Sequence, residues 1–215
     1  MKSVLIIGMG RFGHHLAKQL MEMGNDVMIV DKDEERIEEL APIFTDSYVG
    51  DCTNKGVIRS LGVSNFDICF VAIDQDFESS LVITSHLKDM NAKYIVSNAN
   101  RDRQAEFLLK IGANEVIYPE KEIAEKTAVR FNSSNLLDYI TLSGGYAVCE
   151  LVAPQKWVGK TIAALDVRSK HNVNIIAVKN EGELTHMPPA EYKFRNNDIV
   201  IVIGKQEDTD KLAVL

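Results

Sequence analysis

A doubly wound parallel α/β sheet followed by a smaller α+β domain is the fold this sequence predicts. Three observations predict it. The chain opens on an apolar, β-branched run that ends in spaced glycines, Val4-Leu5-Ile6-Ile7-Gly8-Met9-Gly10-Arg11-Phe12-Gly13. Strand-length apolar runs and amphipathic helix-length stretches then alternate as far as about residue 134. Beyond that point the strands shorten and glycine-containing turns multiply.

The first strand is expected at 3–8 and its helix at 11–23. Gly8 permits the tight strand-to-helix turn, Gly10 lets the backbone come close to a phosphate, and Gly13 lets the helix pack on the strand. Leu16, Ala17, Leu20 and Met21 form the helix's apolar stripe, and Gly24-Asn25 ends it. A second buried strand at 26–31 closes on Asp31, roughly 20 residues past the glycines, where a carboxylate accepts hydrogen bonds from ribose hydroxyls. This is a Rossmann-like adenine-dinucleotide fingerprint in the right context, and its acid disfavours a 2′-phosphate and so NADP. Asp33, Glu34 and Glu35 suit the positive end of the next helix at 33–41 and read as its solvated start. Further strands are expected at 47–50, 67–73, 93–97 and 115–118, with helices near 53–60, 77–90, 101–111 and 120–134. Right-handed crossovers then cover both faces of one parallel sheet.

After about residue 134 the pattern changes: Ser143-Gly144-Gly145 is a turn signal, with strands expected at 147–152, 173–179, 183–186 and 198–203. Asn180-Glu181-Gly182 reads as a hairpin turn, and helices are expected at 161–170 and 206–215. The domains are expected to span 1–134 and 135–215, joined stiffly by the helix near 120–135.

Composition narrows the function. The 215 residues are 46% hydrophobic with a net charge of −7, an acidic balance that argues against nucleic acid as a partner. No apolar run approaches the length of a bilayer span, and a strand starting at residue 3 leaves no room for a signal peptide, so a cytosolic protein is expected. Cys52, Cys69 and Cys149 lack metal-ligand spacing and read as small core residues. His14 and His15 read as helix surface, His86 lies in an amphipathic helix, and His171 and His186 stand alone. No nucleophile–base constellation is legible, which favours binding and regulation over catalysis. An NAD-dependent oxidoreductase is the alternative.

Arg11 adds a permanent forked cation beside the phosphates, which suits ADP or ATP as well as a dinucleotide; the other reading pairs it with a nearby acid. Gly50-Asp51-Cys52-Thr53 forms a second loop at the sheet edge that faces the ligand crevice, with Lys32, Ala72 and Ile73 at the ends of neighbouring strands. Asp51 and Thr53 either contact the adenosine or cap the following helix, and Asp74 and Asp76 carry the same ambiguity.

The fingerprint with Arg11-Phe12, the Gly50-Asp51-x-Thr53 loop, Lys110-Ile111-Gly112-Ala113 and Tyr118-Pro119-Glu120, with the small C-terminal domain, form an ordered set that covers essentially the whole chain. Together they resemble the RCK (regulator of potassium conductance) family, and more narrowly the Ktr/Trk-type cytosolic regulatory subunit of bacterial potassium uptake. That resemblance implies a non-enzymatic gating subunit, peripheral to the inner face of the membrane. Dimers of such subunits assemble into an octameric ring under an integral-membrane potassium transporter. ATP or ADP, and in some members NAD, sets the ring's shape.

The resemblance also assigns residues. It implies phosphate contact for the residue at Arg11 and a divalent cation, Mg or Ca, at Glu120; from the sequence alone Glu120 also reads as a helix N-terminal acid after a proline. Asn98 stands where several Ktr-type members carry a basic residue, which removes a cation from the crevice. Ile162-Ala163, Asp166, Arg168, Asn174, Ile175 and Ile176 resemble the family's cyclic di-AMP-binding pattern, with Pro188 adding to the wall. Arg168 suits a phosphate, Asn174 a polar base edge, and the aliphatics an adenine face. The plainer alternative makes the isoleucines core and pairs Arg168 with Asp166. Ala163 departs from the pattern, where a larger aliphatic is common.

Overall fold

The computed structural model describes residues 1–214. Its first compact unit is Met1–Glu122 and its second Ile123–Leu215. The division falls inside a helix, where the expected boundary lay after residue 134.

In the first unit, β1 (Ser3–Ile7), β2 (Asp26–Asp31), β3 (Asp46–Val49), β4 (Ile68–Val71), β5 (Ile95–Asn98) and β6 (Glu115–Ile117) form one sheet in the order β3-β2-β1-β4-β5-β6. All five pairings are parallel. The helices between them are α1 (Arg11–Glu22), α2 (Glu34–Leu40), α3 (Lys55–Ser60), α4 (Phe77–Asp89) and α5 (Asp102–Ile111), with α6 (Pro119–Asn132) following β6. The strands read as near-continuous apolar runs because both faces are buried. Val4 and Ile6 pack with Ala17, Ile37 and Leu40 on one side. Leu5 and Ile7 pack with Ile58, Ile83, Leu87 and Leu108 on the other. Sequence order reverses between β1 and β4, and this switch point opens a crevice at the carboxyl ends of the strands.

In the second unit, β7 (Leu136–Leu142), β8 (Tyr146–Val152), β9 (Val173–Asn180), β10 (Glu183–His186) and β11 (Ile199–Lys205) form an antiparallel sheet in the order β10-β9-β11-β8-β7. The edge strand β7 was not expected. The hairpin turn was: Glu181 and Gly182 both take positive φ, 47° and 89°, the geometry of a two-residue turn whose twist matches the strands. The single helix expected at 161–170 is instead α7 (Ile162–Leu165) and α8 (Val167–His171), broken where Asp166 turns left-handed at φ 47°. Aspartate tolerates that conformation because its side chain bonds locally, here as acceptor from Ser169 Oγ at 2.9 Å. α9 (Gln206–Ala213) packs on β8 and β11; the expected last residue of that helix, Leu215, lies outside the described residues.

A buried carboxylate ties this unit together. Asp198 is fully buried and accepts hydrogen bonds from Asn180 Nδ2 at 2.5 Å, Tyr192 Oη at 2.9 Å and Arg195 N at 2.8 Å. Three donors compensate a charge that burial alone would heavily penalise. No helix among the described residues is long and apolar enough to cross a membrane.

Candidate functional site

The crevice at the switch point is a cleft of about 650 Å³, within the range of small-molecule sites. Four strand ends build it. The β1–α1 loop and the start of α1 contribute Gly8 to Arg11, the end of β2 and the residue after it contribute Asp31 and Lys32, the loop after β3 contributes Gly50 to Thr53, and the loop after β4 contributes Ala72 to Asp76.

The three glycines do three different things. Gly8 has φ 99°, and a Cβ there would lie 2.9 Å from the Ala72 carbonyl oxygen. A Cβ on Gly13 would lie 2.0 Å from the Gly8 carbonyl oxygen, so α1 seats on β1 only with glycine. Around Gly10 an added Cβ would meet nothing within 4 Å, because that side faces the open cleft. α1 starts directly after Gly10 with no side-chain cap and no acid in its first turn. Its free N–H groups and positive dipole end therefore face the cleft without a competing anion. Arg11 lines the cleft, is exposed, and makes no ion pair among the described residues.

Asp31 is 7% exposed and held by three donors. Its Oδ2 accepts from Met9 N at 2.6 Å and from the Arg36 guanidinium at 3.0 Å; its Oδ1 accepts from Asp33 N at 3.0 Å. The acid at the end of β2 thus ties down the glycine loop as well as lining the cleft. Asp51 accepts from the Thr53 N–H at 2.9 Å and hydroxyl at 2.7 Å, which hold its carboxyl below the usual range, with Lys32 adding to the effect. Neither Asp51 nor Thr53 caps α3; Asn54 does, accepting from Gly56 N at 2.8 Å. Asp76 is a cap, accepting from Ser79 N at 3.0 Å and Ser79 Oγ at 2.6 Å at the start of α4, and these bonds lower its pKa. Burial pushes the Cys52 thiol to about 12, with Asp51 and Asp31 adding to the shift, so it offers packing rather than a thiolate. From α4, His86 Nε2 meets the Thr53 carbonyl at 3.1 Å and braces the loop from behind.

Some expected site residues lie elsewhere. Phe12, half-buried in the first turn of α1, packs against the core and does not line the cleft that Arg11 faces. Asn98, at the end of β5, is 3% exposed, does not line the cleft, and leaves its Oδ1 without a partner. Glu120 is exposed in the first turn of α6, outside the cleft, and no group of three or more His, Cys, Asp or Glu able to hold a metal occurs among the described residues.

Several residues that line the cleft were not anticipated, Glu39, Gln75 and Ser79 among them, and neither were His14 and Arg36. His14 read as helix surface, and Arg36 read as part of a solvated helix; its spacing of five from Asp31 and three from Asp33 was the available signal.

In the second unit, the Ile162 and Ala163 N–H groups donate to Tyr192 and Ala190 carbonyls at 3.1 and 2.9 Å, and Met187 N donates to Ile176 O at 2.9 Å. Residues 162–163 and 176 thus lie against the 187–192 loop that carries Pro188. Asn174 and Ile176 are exposed on β9, Ile162, Ile175 and Pro188 are half-buried, and Arg168 is exposed without an Asp166 ion pair among the described residues.

Comparison with known proteins decides the family. The TrkA-N domain matches residues 4–119 and the TrkA-C domain residues 149–215. The chain belongs to the TrkA family. It is 37% identical over 210 residues to the Ktr system potassium uptake protein C of Bacillus subtilis (strain 168), covering 98% of this chain and 95% of that one. It is 34% identical over 207 residues to the Ktr system potassium uptake protein A of the same organism, covering 96% and 93%. Among solved structures, the GsuK RCK domain superposes with a TM-score of 0.70 at 20% identity, over 99% of this TrkA-family chain and 47% of that one. A GsuK channel bound to NAD superposes with a TM-score of 0.67 at 20% identity, over 100% of this chain and 38% of that one. The GsuK likenesses establish the shared fold: a parallel Rossmann-like sheet followed by a small antiparallel domain.

Proposed function

We propose that this chain is a cytosolic regulatory subunit of a membrane potassium transporter and that its first unit senses an adenine nucleotide. The uncapped N-terminus of α1 converging with Arg11 and buried Asp31 on one cleft carries the reading. The free N–H groups and Arg11 receive phosphates, Asp31 receives the ribose, and the Gly50–Thr53 loop, Cys52 included, borders the adenosine. The potassium-uptake names of the Ktr relatives support the transport role, and the nucleotide role is supported by the NAD of one GsuK channel and the ADP of another GsuK structure. On this reading the bound nucleotide acts as a signal rather than as a reagent. It regulates only through a difference in affinity between two conformations of the assembly. That assembly is a homo-oligomer, a dimer built into an octameric ring, seated on the transporter.

ATP or ADP is the proposed ligand, with NAD the third candidate. Glu120 by itself does not make a divalent-cation site; a Mg or Ca ion there would need further ligands from phosphate or a second copy, and no step depends on it. The second unit is proposed to bind cyclic di-AMP, with Arg168 on phosphate, Asn174 on a base edge, and Ile162, Ala163, Ile175, Ile176 and Pro188 as walls beside Asp166.

Titration calorimetry with ATP, ADP, NAD and cyclic di-AMP tests both sites. Arg11→Ala is expected to weaken ATP more than adenosine, and Arg168→Ala to abolish cyclic di-AMP binding while sparing ATP. Equal losses for ATP and adenosine, or retained cyclic dinucleotide affinity, defeat the respective assignments. Potassium uptake that is insensitive to deletion of this chain in its own cells would defeat the regulatory role.

A further inference from the structure

Resting on the nucleotide reading above, we propose that Arg36 is a positioning residue that makes the cleft read ribose through a single hydroxyl. A carboxylate has about four acceptor positions, two on each oxygen. On Asp31 three are filled. Oδ2 is filled twice, by Met9 N at 2.6 Å and by the Arg36 guanidinium at 3.0 Å. Oδ1 is filled once, by Asp33 N at 3.0 Å. One acceptor position remains, and it is on Oδ1.

Arg36 is held in this place from a second side. Its other terminal nitrogen pairs with Asp33 Oδ2 at 3.2 Å. Asp33 is itself fixed as the cap of α2, accepting from Arg36 N at 3.3 Å. The Asp31 side chain is 8% exposed against 43% for Arg36, so the acid is sheltered while its partner borders the cleft. A ribose presents two neighbouring hydroxyls, and a carboxylate with both oxygens free accepts from both. Here the Met9 backbone and Arg36 have claimed Oδ2. One hydroxyl bonds Oδ1, and the other gains nothing from Asp31.

The same arrangement is expected to keep a 2′-phosphate out although an arginine lies beside the ribose position. An arginine near this acid is the usual receiver of such a phosphate. Arg36 is instead bracketed by two carboxylates, Asp31 and Asp33, and an incoming phosphate meets two negative charges for one positive.

The test is calorimetric titration of the full chain with ADP, 2′-deoxy-ADP and 3′-deoxy-ADP. One analogue is expected to bind about tenfold more weakly than ADP, the loss of a hydrogen bond to a charged group, and the other within about twofold. Arg36→Met keeps the stem and removes the charge, so it frees Oδ2; the two analogues are then expected to lose affinity alike. Arg36→Lys restores a cation at Oδ2 and is expected to restore the difference. Ratios are compared within each protein, so a general loss of stability cancels. Equal weakening of both analogues in the unmodified protein, weakening of neither, or a difference that persists in Arg36→Met overturns the proposal while the nucleotide reading stands. Failure of ADP itself to bind the unmodified protein overturns the nucleotide reading, and the role of Arg36 with it.

Discussion

Replacing Gly10 by alanine separates folding from binding. Gly10 has φ −65° and ψ −174°, extended backbone open to any residue, and an added Cβ meets nothing within 4 Å. Two effects set the stability of Gly10→Ala. Restricting the unfolded chain stabilises by about 0.4–1 kcal/mol. Alanine is a poorer helix N-cap than glycine, which costs about 0.5–1 kcal/mol. They offset to within about 1 kcal/mol, a shift in Tm below about 4 °C for a chain of this size. Binding is another matter, because on the proposed reading a phosphate reaches the free N–H groups of α1 over the open side of Gly10. ADP at one hundred times its Kd stabilises the unmodified protein by about 2.7 kcal/mol. A hundredfold loss of affinity cuts that to about 0.4 kcal/mol at the same concentration. Thermal melts with and without ADP read both effects at once. A Gly10→Ala protein that binds ADP normally refutes the close approach of phosphate at this position. One that melts far below the unmodified protein without ligand refutes the reading of open space.

Gly13→Ala should do the reverse: its Cβ would lie 2.0 Å from a backbone oxygen that cannot swing away, so the first unit should lose about 3 kcal/mol or more, read by urea melts in the far-ultraviolet. Asp198→Ala strands the Asn180, Tyr192 and Arg195 donors and should cost about 3 kcal/mol. The emission of the single tryptophan, buried Trp157 in the second unit, is the readout. His171 lies 6.1 Å from Trp157, ring centre to ring centre; burial lowers its pKa from 6.5, with Lys156 and Lys170 adding to the shift. The unfolded state then binds the proton better, so its contribution to stability is complete above about pH 6.5 and declines as pH falls from there toward the folded pKa. Melts followed by Trp157 should drop between pH 7.5 and pH 5, and His171→Asn should flatten that dependence.

The parallel sheet was legible because local signals agreed. Val4 to Ile7 are buried on both faces and so form an unbroken apolar run, and Gly8 and Gly13 stand where any side chain would run into backbone. β7 was not legible because it is an edge strand whose residues beyond Leu136 are half-buried or exposed, which erases the period-two pattern. The break between α7 and α8 was hidden because a left-handed aspartate looks like any helical aspartate in a sequence. The division inside α6 was equally silent, since Pro119–Asn132 runs as one helix with no glycine or internal proline to mark it.

The candidate site divides along the same line. Gly8 and Gly13 were readable because the turn and the helix–strand contact demand them, Gly10 because it completes their spacing, and Asp31 because it ends a strand. Sequence alone therefore determined the fold class, the location of the cleft and the residue types around it. Only the tertiary structure decided which of those residues share the cleft and which of their hydrogen-bonding positions are already filled. It sent Phe12 to the core, left Asn98 buried outside the cleft, made Asn54 rather than Asp51 the cap of α3, and brought Arg36 onto Asp31. Such pairings depend on where separate elements meet after folding, and no local propensity or spacing encodes that meeting.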